Sequence, residues 1–399
     1  MSKRLSAAAL PRLQLTQHDV EELRQLGLQL EREVVTLFED FVYTRRREVD
    51  PARWHHVKSE GDMHAFKETS RAVRIERRAT AGSSHSPTEG IPRPQHDLAA
   101  QSTLPRMLVT GMLPGTVDDI MYGSAFQDTE SLRAHWAYQK DHMDDSAVLA
   151  KIDGPTLDDP YRFLGVIWFL RTYPLPAAIL KNRDGLILTD TRLSTMSNGE
   201  RIGISINHSI NHRDLPELRE FSTIRIMSSL IRVFRQVDVD RVEAFIVHFL
   251  DVRGSTPESF HVQESVKVAL PSPGRFADAG LLKKLRFLVQ QRALARAGDY
   301  IEPHGSGMDK RCDLCSKAMG GFFTASGSTC QLCSKHVCSR CCVPREIVVD
   351  TTTSRSVARS VPFCVQCFLS VKKMATLPVA QEEAKHEMRM FVRSSSTNM

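Results

Sequence analysis

Early in the chain, apolar residues recur with helical spacing: Val20, Leu23, Leu26, Leu30, Val34, Leu37 and Phe41 share one face. Thr16 stands just ahead of them with Asp19 three residues on, so a loose capping box marks where this helix begins. "WHHVKSEGDMHAF", Trp54 to Phe66, reads as a hairpin turning at Glu60 and Gly61. From Arg71 to Pro94 large apolar residues are scarce, and "AGSSHSPTEGIPRP" reads as a flexible surface loop within about 71–100. "RMLVTGML" predicts a strand, while Gly115 to Tyr122 and Thr129 to Gln139 predict short helices.

Several strands follow. "RIGISINHS" alternates and places Ile202, Ile204 and Ile206 on one face. "FLGVIWFL" and "VEAFIVHFL" are apolar on both faces, as in a strand that is covered on both sides or lines an apolar cavity. The region closes with an amphipathic helix. Leu281, Leu282, Leu285, Leu288 and Val289 form its stripe, with Lys283, Lys284, Arg286 and Arg292 mostly opposite. Arg183 and Asp184, in "PAAILKNRDGLIL", read as a structural ion pair.

Length adds that 399 residues suit two domains. The longest apolar run, Phe163 to Leu170, is far short of the roughly 20 residues that cross a bilayer, so no transmembrane segment is expected. The N-terminus has basic residues but only a short apolar core, below the roughly 7–15 residues of a secretory signal, and a cytoplasmic location is expected. In that reducing compartment clustered cysteines favour metal over disulfides.

All nine cysteines lie beyond Arg311, and five fall in "CQLCSKHVCSRCC". Eight form Cys-x-x-Cys pairs: Cys312/Cys315, Cys330/Cys333, Cys338/Cys341 and Cys364/Cys367, separated by 14, 4 and 22 residues. Two such knuckles bring four thiolates to about 2.3 Å from one Zn²⁺, so four knuckles make two closed Cys₄ sites. A closed site has no open position for water, and its zinc is structural. Eight thiolates with two Zn²⁺ lower the formal charge from +6 to about +2, which argues against nucleic-acid binding driven by bulk charge. Cys342 is read as a non-ligand.

The short central gap allows the knuckles to interleave. This spacing resembles the FYVE-type zinc finger, a cross-brace module. The resemblance implies Cys312, Cys315, Cys338 and Cys341 on one zinc, and Cys330, Cys333, Cys364 and Cys367 on the other, over about 311–373. Phe322 or Phe323 matches the family's aromatic. The basic run expected before the third Cys is replaced by "GST", Gly327 to Thr329, and the later Arg by "VPF", Val361 to Phe363. A 3-phosphate needs convergent cationic donors. Lys335, His336 and Arg340 remain as candidate contacts to an anionic membrane. A protein partner such as a Rab-type small GTPase is the other reading, and a RING-like ubiquitin ligase the rival fold.

The order of elements over about 16–298, with "WHHVKSEGDMHAF", "PAAILKNRDGLIL" and "GLLKKLRFLVQQRAL", resembles the START lipid-transfer domain. The resemblance implies an α+β helix-grip fold: a curved antiparallel sheet with long N- and C-terminal helices, followed by the small double-zinc finger. It leaves 1–15 and 374–399 as tails and 299–310 as a linker. It also implies a tunnel for a hydrophobic ligand or lipid, with Phe163, Ile167, Phe245 and Phe249 as wall candidates and Leu281, Leu285 and Leu288 on the lid. A solid core is the alternative.

No nucleophile elbow, His-Glu-x-x-His or phosphate-binding loop appears, and His55, His56, His208 and His212 have no matching catalytic partner motif, so no enzyme is expected. The expected function is a zinc-containing lipid-binding adaptor, peripheral on an endosomal membrane. The competing expectations are a zinc-dependent protein adaptor without lipid and, behind it, the ligase.

Overall fold

The Thr16 side chain caps α1 (Gln17–Glu39), accepting the Asp19 N–H at 3.2 Å, while the Asp19 carboxylate accepts the Thr16 N–H at 2.7 Å. The expected capping box is present in both directions. A π-helical turn, Asp40–Thr44, extends the helix. The computed structural model describes residues 5–11, 13–73, 102–141, 143–173, 180–298, 311–319, 327–352 and 356–396, with side chains in its two last long helices described as far as 295 and 388.

Ten strands form one sheet: β1 (Trp54–Glu60), β2 (Met63–Glu68), β3 (Met107–Pro114), β4 (Asp145–Asp153), β5 (Phe163–Arg171), β6 (Asn182–Thr195), β7 (Arg201–Ser209), β8 (Thr223–Arg225), β9 (Met227–Asp238) and β10 (Arg241–Asp251). Their order is β1-β2-β3-β10-β9-β7-β6-β5-β4, all antiparallel, with β8 joining β6 in parallel. The first hairpin turns at Gly61, whose φ of +56° is the left-handed conformation glycine adopts without strain.

Strand alternation sorts the sheet into two covered faces. On the outer face Ile202, Ile204 and Ile206 of β7, Val233 of β9 and Phe245 of β10 pack under Leu30, Val34, Phe38 and Phe41 of the opening helical segment. Gly27 is the point of closest approach, because a Cβ there would overlap the Asp190 carboxylate. The inner face is covered by α2 (Val117–Ser124), α3 (Thr129–Tyr138), α4 (Glu258–Ala269) and the start of α5 (Ser272–Gly298). Helices α2 and α5 cross with almost no separation. A Cβ on Gly123 would collide with the Phe276 carbonyl, and one on Gly280 with the Asp119 carbonyl.

The C-terminal part holds β11 (Ser328–Thr329), β12 (His336–Val337), the hairpin β13 (Cys342–Asp350) with β14 (Val357–Cys364), α6 (Val365–Lys373) and α7 (Thr376–Ser396). This part lies directly on α5. Leu285, Ile347, Phe363 and Val371 form its buried centre, with Leu281, Leu282, Leu288 and Val289 against them.

The described residues of the expected tails are structured. Leu5 and Leu13 are buried beside Leu23, Trp168 and Leu188. At the other end α7 lays Val379 and Ala380 into the main core, with Thr376 donating to Asp119. Short apolar segments at chain ends carry too few periods to show that they are covered. The expected loop at 71–100 lies outside the described residues except for 71–73, which are helical, and so does the linker 299–310.

The glycine crossing sets a test. Gly123→Ala should lower stability by about 1–3 kcal/mol through overpacking against backbone. Gly274→Ala, in the same α5 but with nothing within 4 Å of the added carbon, should be neutral or gain about 0.5–1 kcal/mol. Denaturant midpoints of the two variants read the difference.

Candidate functional site

Between the inner face and the helices lies a cavity. It holds about 1130 Å³ of atom-free space, part of it open to solvent. Centres of water-sized spheres have about 120 Å³ of this, where one water needs roughly 10–15 Å³. The wall is apolar at Ile167, Phe169, Ile187, Leu230, Leu250 and Phe276. A polar row crosses it: Thr191 of β6 faces Ser205 of β7, which faces Arg232 of β9.

Most charges around the cavity are matched. Arg171 donates to Glu264 at 3.1 Å and pairs with Asp141. Arg183 donates to the carbonyls of Val252 at 2.5 Å and Arg253 at 3.0 Å. It does not pair with Asp184. Adjacent strand residues point to opposite faces, and Asp184 instead meets Arg225 at 2.7 Å and Trp168 Nε1 at 3.0 Å. The sequence expectation of an Arg183–Asp184 pair is therefore corrected.

Arg232 is different. Only 4% exposed, it donates through Nε to Ser272 Oγ at 3.1 Å and stacks over Phe276 at 5.1 Å. Its Nη1 is buried without a partner, and among the described residues no carboxylate pairs with it. Nearby, His135 and His248 are each pulled down to about 3, first by burial and then by the Arg232 charge, so both rings are neutral.

Of the seven tunnel candidates, Ile167 lines this cavity. Phe163 shares its face but is packed against Phe126, with ring centroids 4.8 Å apart. Phe245 points to the outer face, 5.4 Å from Phe38, and Phe249, two pairs of residues further on, shares that side of β10. Leu281, Leu285 and Leu288 face the C-terminal hairpin, not the cavity. Only the first turns of α5 overlie the sheet opening, where Ser272, Arg275 and Phe276 line it. Sequence reasoning missed Arg232. Its signal was a lone arginine in "LIRVF", a strand whose flanking residues need cover on both sides.

The cysteines come together in two groups. Cys312, Cys315, Cys338 and Cys341 form one; Cys330, Cys333, Cys364 and Cys367 form the other, each with all sulfurs within 4.8 Å of one another. Pairs one and three share a centre, as do pairs two and four. Four sulfurs around one ion at 2.3 Å stand about 3.8 Å apart. Cys315 to Cys338 and Cys333 to Cys364 are both 3.7 Å, so each donor set fits a tetrahedral metal ion.

The local fold repeats between groups. In "CDLCS" and "CQLCS" the Ser316 and Ser334 amides return to the Cys312 and Cys330 carbonyls at 2.8 and 2.9 Å, with left-handed serine φ values of 56° and 60°. Burial opposes ionisation of Cys312. The backbone amides of Cys338, Leu314 and Cys315 outweigh it and bring the thiol down to about 6. For Cys330 burial again opposes, and the amides of Cys364, Cys333 and Leu332 bring it down to about 7.

Cys342 stands outside both groups and opens β13. Lys335 and Arg340 are exposed, while His336 is half-buried and its backbone N–H donates to Asp313 at 2.6 Å. Phe322 and Phe323 lie outside the described residues.

No known family model and no curated protein matches the chain. Among solved structures it is similar to human STARD10, at 16% identity over 65% of this chain and 84% of that one, with a TM-score of 0.40. It is also similar to human StAR-related lipid transfer protein 5, at 13% identity over 70% and 99%, with a TM-score of 0.38. A STAR-related lipid transfer protein fragment from Xanthomonas axonopodis gives 15% identity over 57% and 96%, with a TM-score of 0.34. The cavity and the cysteine groups stand on this chain's own side chains. No helix among the described residues is long and apolar enough to cross a membrane.

Two measurements follow from these sites. Cys312→Ser should lower the metal content of the purified full chain from two ions to one, and Cys330→Ser should do the same independently, read by elemental analysis against protein concentration. The two histidines fix a pH dependence. Their folded pKa of about 3 lies below the ordinary 6.5, so the unfolded chain takes up protons first. Their contribution to stability is complete above pH 6.5 and is lost progressively as pH falls toward 3. The double variant His135→Gln/His248→Gln should flatten the slope of unfolding free energy between pH 6.5 and about 4.5.

Proposed function

We propose that the chain is a non-enzymatic lipid-binding protein. Its N-terminal body is a START-like helix-grip domain whose inner cavity takes the apolar part of a lipid or similar hydrophobic ligand. The two cysteine groups are structural zinc sites of a FYVE-related cross-brace. Thiolate-only tetrahedral ligation favours zinc, and a closed set leaves no position for substrate.

The cavity carries this reading. A solid core would fill the space between Ile167, Ile187, Leu230, Leu250 and Phe276, since interiors normally pack without voids of this size. An apolar chain entering it gains roughly 25 cal/mol for each Å² removed from water. Location on the cytoplasmic side, peripheral to an endomembrane, belongs to the same proposal. Lys335 and Arg340, exposed on the metal module, are its candidate contacts with anionic lipid or with a small-GTPase partner. The missing basic run before Cys330 argues against tight 3-phosphate recognition.

The test uses the full chain. Native mass spectrometry and organic extraction should recover a lipid at about one per protein, and Ile167→Trp, which fills the cavity, should reduce it at least several-fold. Protein that is empty and takes up no apolar probe would make the adaptor without cargo the better reading.

A further inference from the structure

Among the described residues Arg232 is the buried cavity charge that neither a carboxylate nor a carbonyl answers; Arg275, also without a carboxylate, is only half-buried. Arg171 has two carboxylates and Arg183 has backbone carbonyls, but Arg232 has a serine hydroxyl and an aromatic face. Neither cancels a positive charge. Four arginines and two carboxylates line the cavity, counting Arg275 beside Phe276. The first turn of α5, at Ser272, adds the positive end of a 27-residue helix on the same side. Five buried atoms on this wall lack a partner: Arg232 Nη1, Trp136 Nε1 and Gln139 Nε2 can only donate, and His135 Nδ1 and His248 Nδ1 are imidazole nitrogens. Leaving buried donors and a buried charge unmatched is costly, and the missing complement is an acceptor with negative charge.

We propose that the cavity selects an amphiphile with an oxyanion head, held by Arg232 and the Thr191–Ser205 row while its apolar chain lies along Ile167, Ile187 and Leu250. This assignment rests on the lipid-binding reading above and names the class of ligand. Burial brings Arg232 down to about 9, still charged at neutral pH, and the adjacent His135 and His248 are neutral. The guanidinium is therefore the deepest unpaired charge an anion meets, with Arg275 half-buried nearby. A carboxylate and a phosphate monoester share this chemistry.

Three probes of equal chain length separate the outcomes on the full, metal-loaded protein: oleate, 1-oleoyl lysophosphatidate and oleyl alcohol. One of the two anions should bind at least 10-fold tighter than the alcohol, and which one does identifies the head. Arg232→Met should reduce that preference to within 3-fold while keeping the alcohol's affinity, and Arg232→Lys should restore part of it. Without ligand, Arg232→Met should unfold at the same temperature as the parent or higher, because an uncompensated buried charge is removed. Alcohol binding as tight as either anion, or anion preference surviving in Arg232→Met, overturns this inference and leaves the lipid-binding reading intact. A large drop in the variant's unfolding temperature also overturns it, by making the arginine structural. Failure of all three probes to bind overturns both.

Discussion

One helix forms the main seam between the two halves of the chain, with α3 and α7 adding contacts at its sides. The first turns of α5 roof the cavity, Gly280 seats it against α2, and its leucine stripe is buried under the C-terminal hairpin. Lys284 pins the same helix, reaching Asp119 at 2.9 Å and the Met374 carbonyl at 3.1 Å from a position only 1% exposed. A fully buried Leu or Phe contributes about 1.5–3 kcal/mol relative to exposure, so Leu285 and Phe363 alone make this contact worth several kcal/mol. The cysteine groups stand together at the open end of the hairpin that makes it, where Cys342 pairs with Cys364. Cys341 immediately precedes β13, Cys364 ends β14, and they belong to different groups. Each cysteine group therefore anchors one strand of the surface that covers the roof helix.

The buried charges show how selectively the fold tolerates polarity. On the outer face Asp190 is fully buried between Arg162 and Arg192, and Arg192 also meets Glu31 at 2.8 Å. Asp184 is closed by Arg225 and Trp168. Arg235 and Arg47 both reach Glu243, at 2.6 and 2.7 Å. In each case charge is matched by charge within the protein, as burial demands. Arg232 departs from this rule, and it does so where the packing is open.

The elements with a strong period were legible. The capping box at Thr16, the turn at Gly61 and the alternation of Ile202, Ile204 and Ile206 each follow from a local rule that the tertiary structure had no reason to override. The cysteine interleaving was legible because the spacing resembles a cross-brace finger, and that resemblance implies which pairs share a centre. What periodicity cannot give is the identity of the covering layer. The stripe at Leu281, Leu285 and Leu288 states that one face of α5 is covered. Whether a cavity or a hairpin some 60 residues later covers it depends on three-dimensional contacts between segments far apart in sequence. Alternation likewise places Phe245 and Phe249 on one side of β10 but not on the inner one. The same alternation should have separated Arg183 from Asp184, since neighbours in a strand cannot share a face.

The packing of α5 also constrains how a ligand enters. In a domain whose closing helix is free on its outer side, lifting that helix opens the space beneath it at the cost of the inner contacts alone. Here lifting α5 would also break the contacts of Leu281, Leu285 and Leu288 with Ile347 and Phe363, and the Lys284 bonds to Asp119 and Met374. The inner and outer contacts are lost together, so the barrier to that motion contains both. Moving α4 instead, whose Glu264 and Val268 line the cavity, would spare the hairpin contacts but would expose Val262, Val266 and Ala269 of the main core. That motion would break the Arg171–Glu264 bond at 3.1 Å and would pull on Ser272, whose hydroxyl donates to the Ala269 carbonyl at 2.9 Å. Of the two helices, α5 is therefore the one held from both sides, by the cavity helices and by the hairpin that the cysteine groups brace.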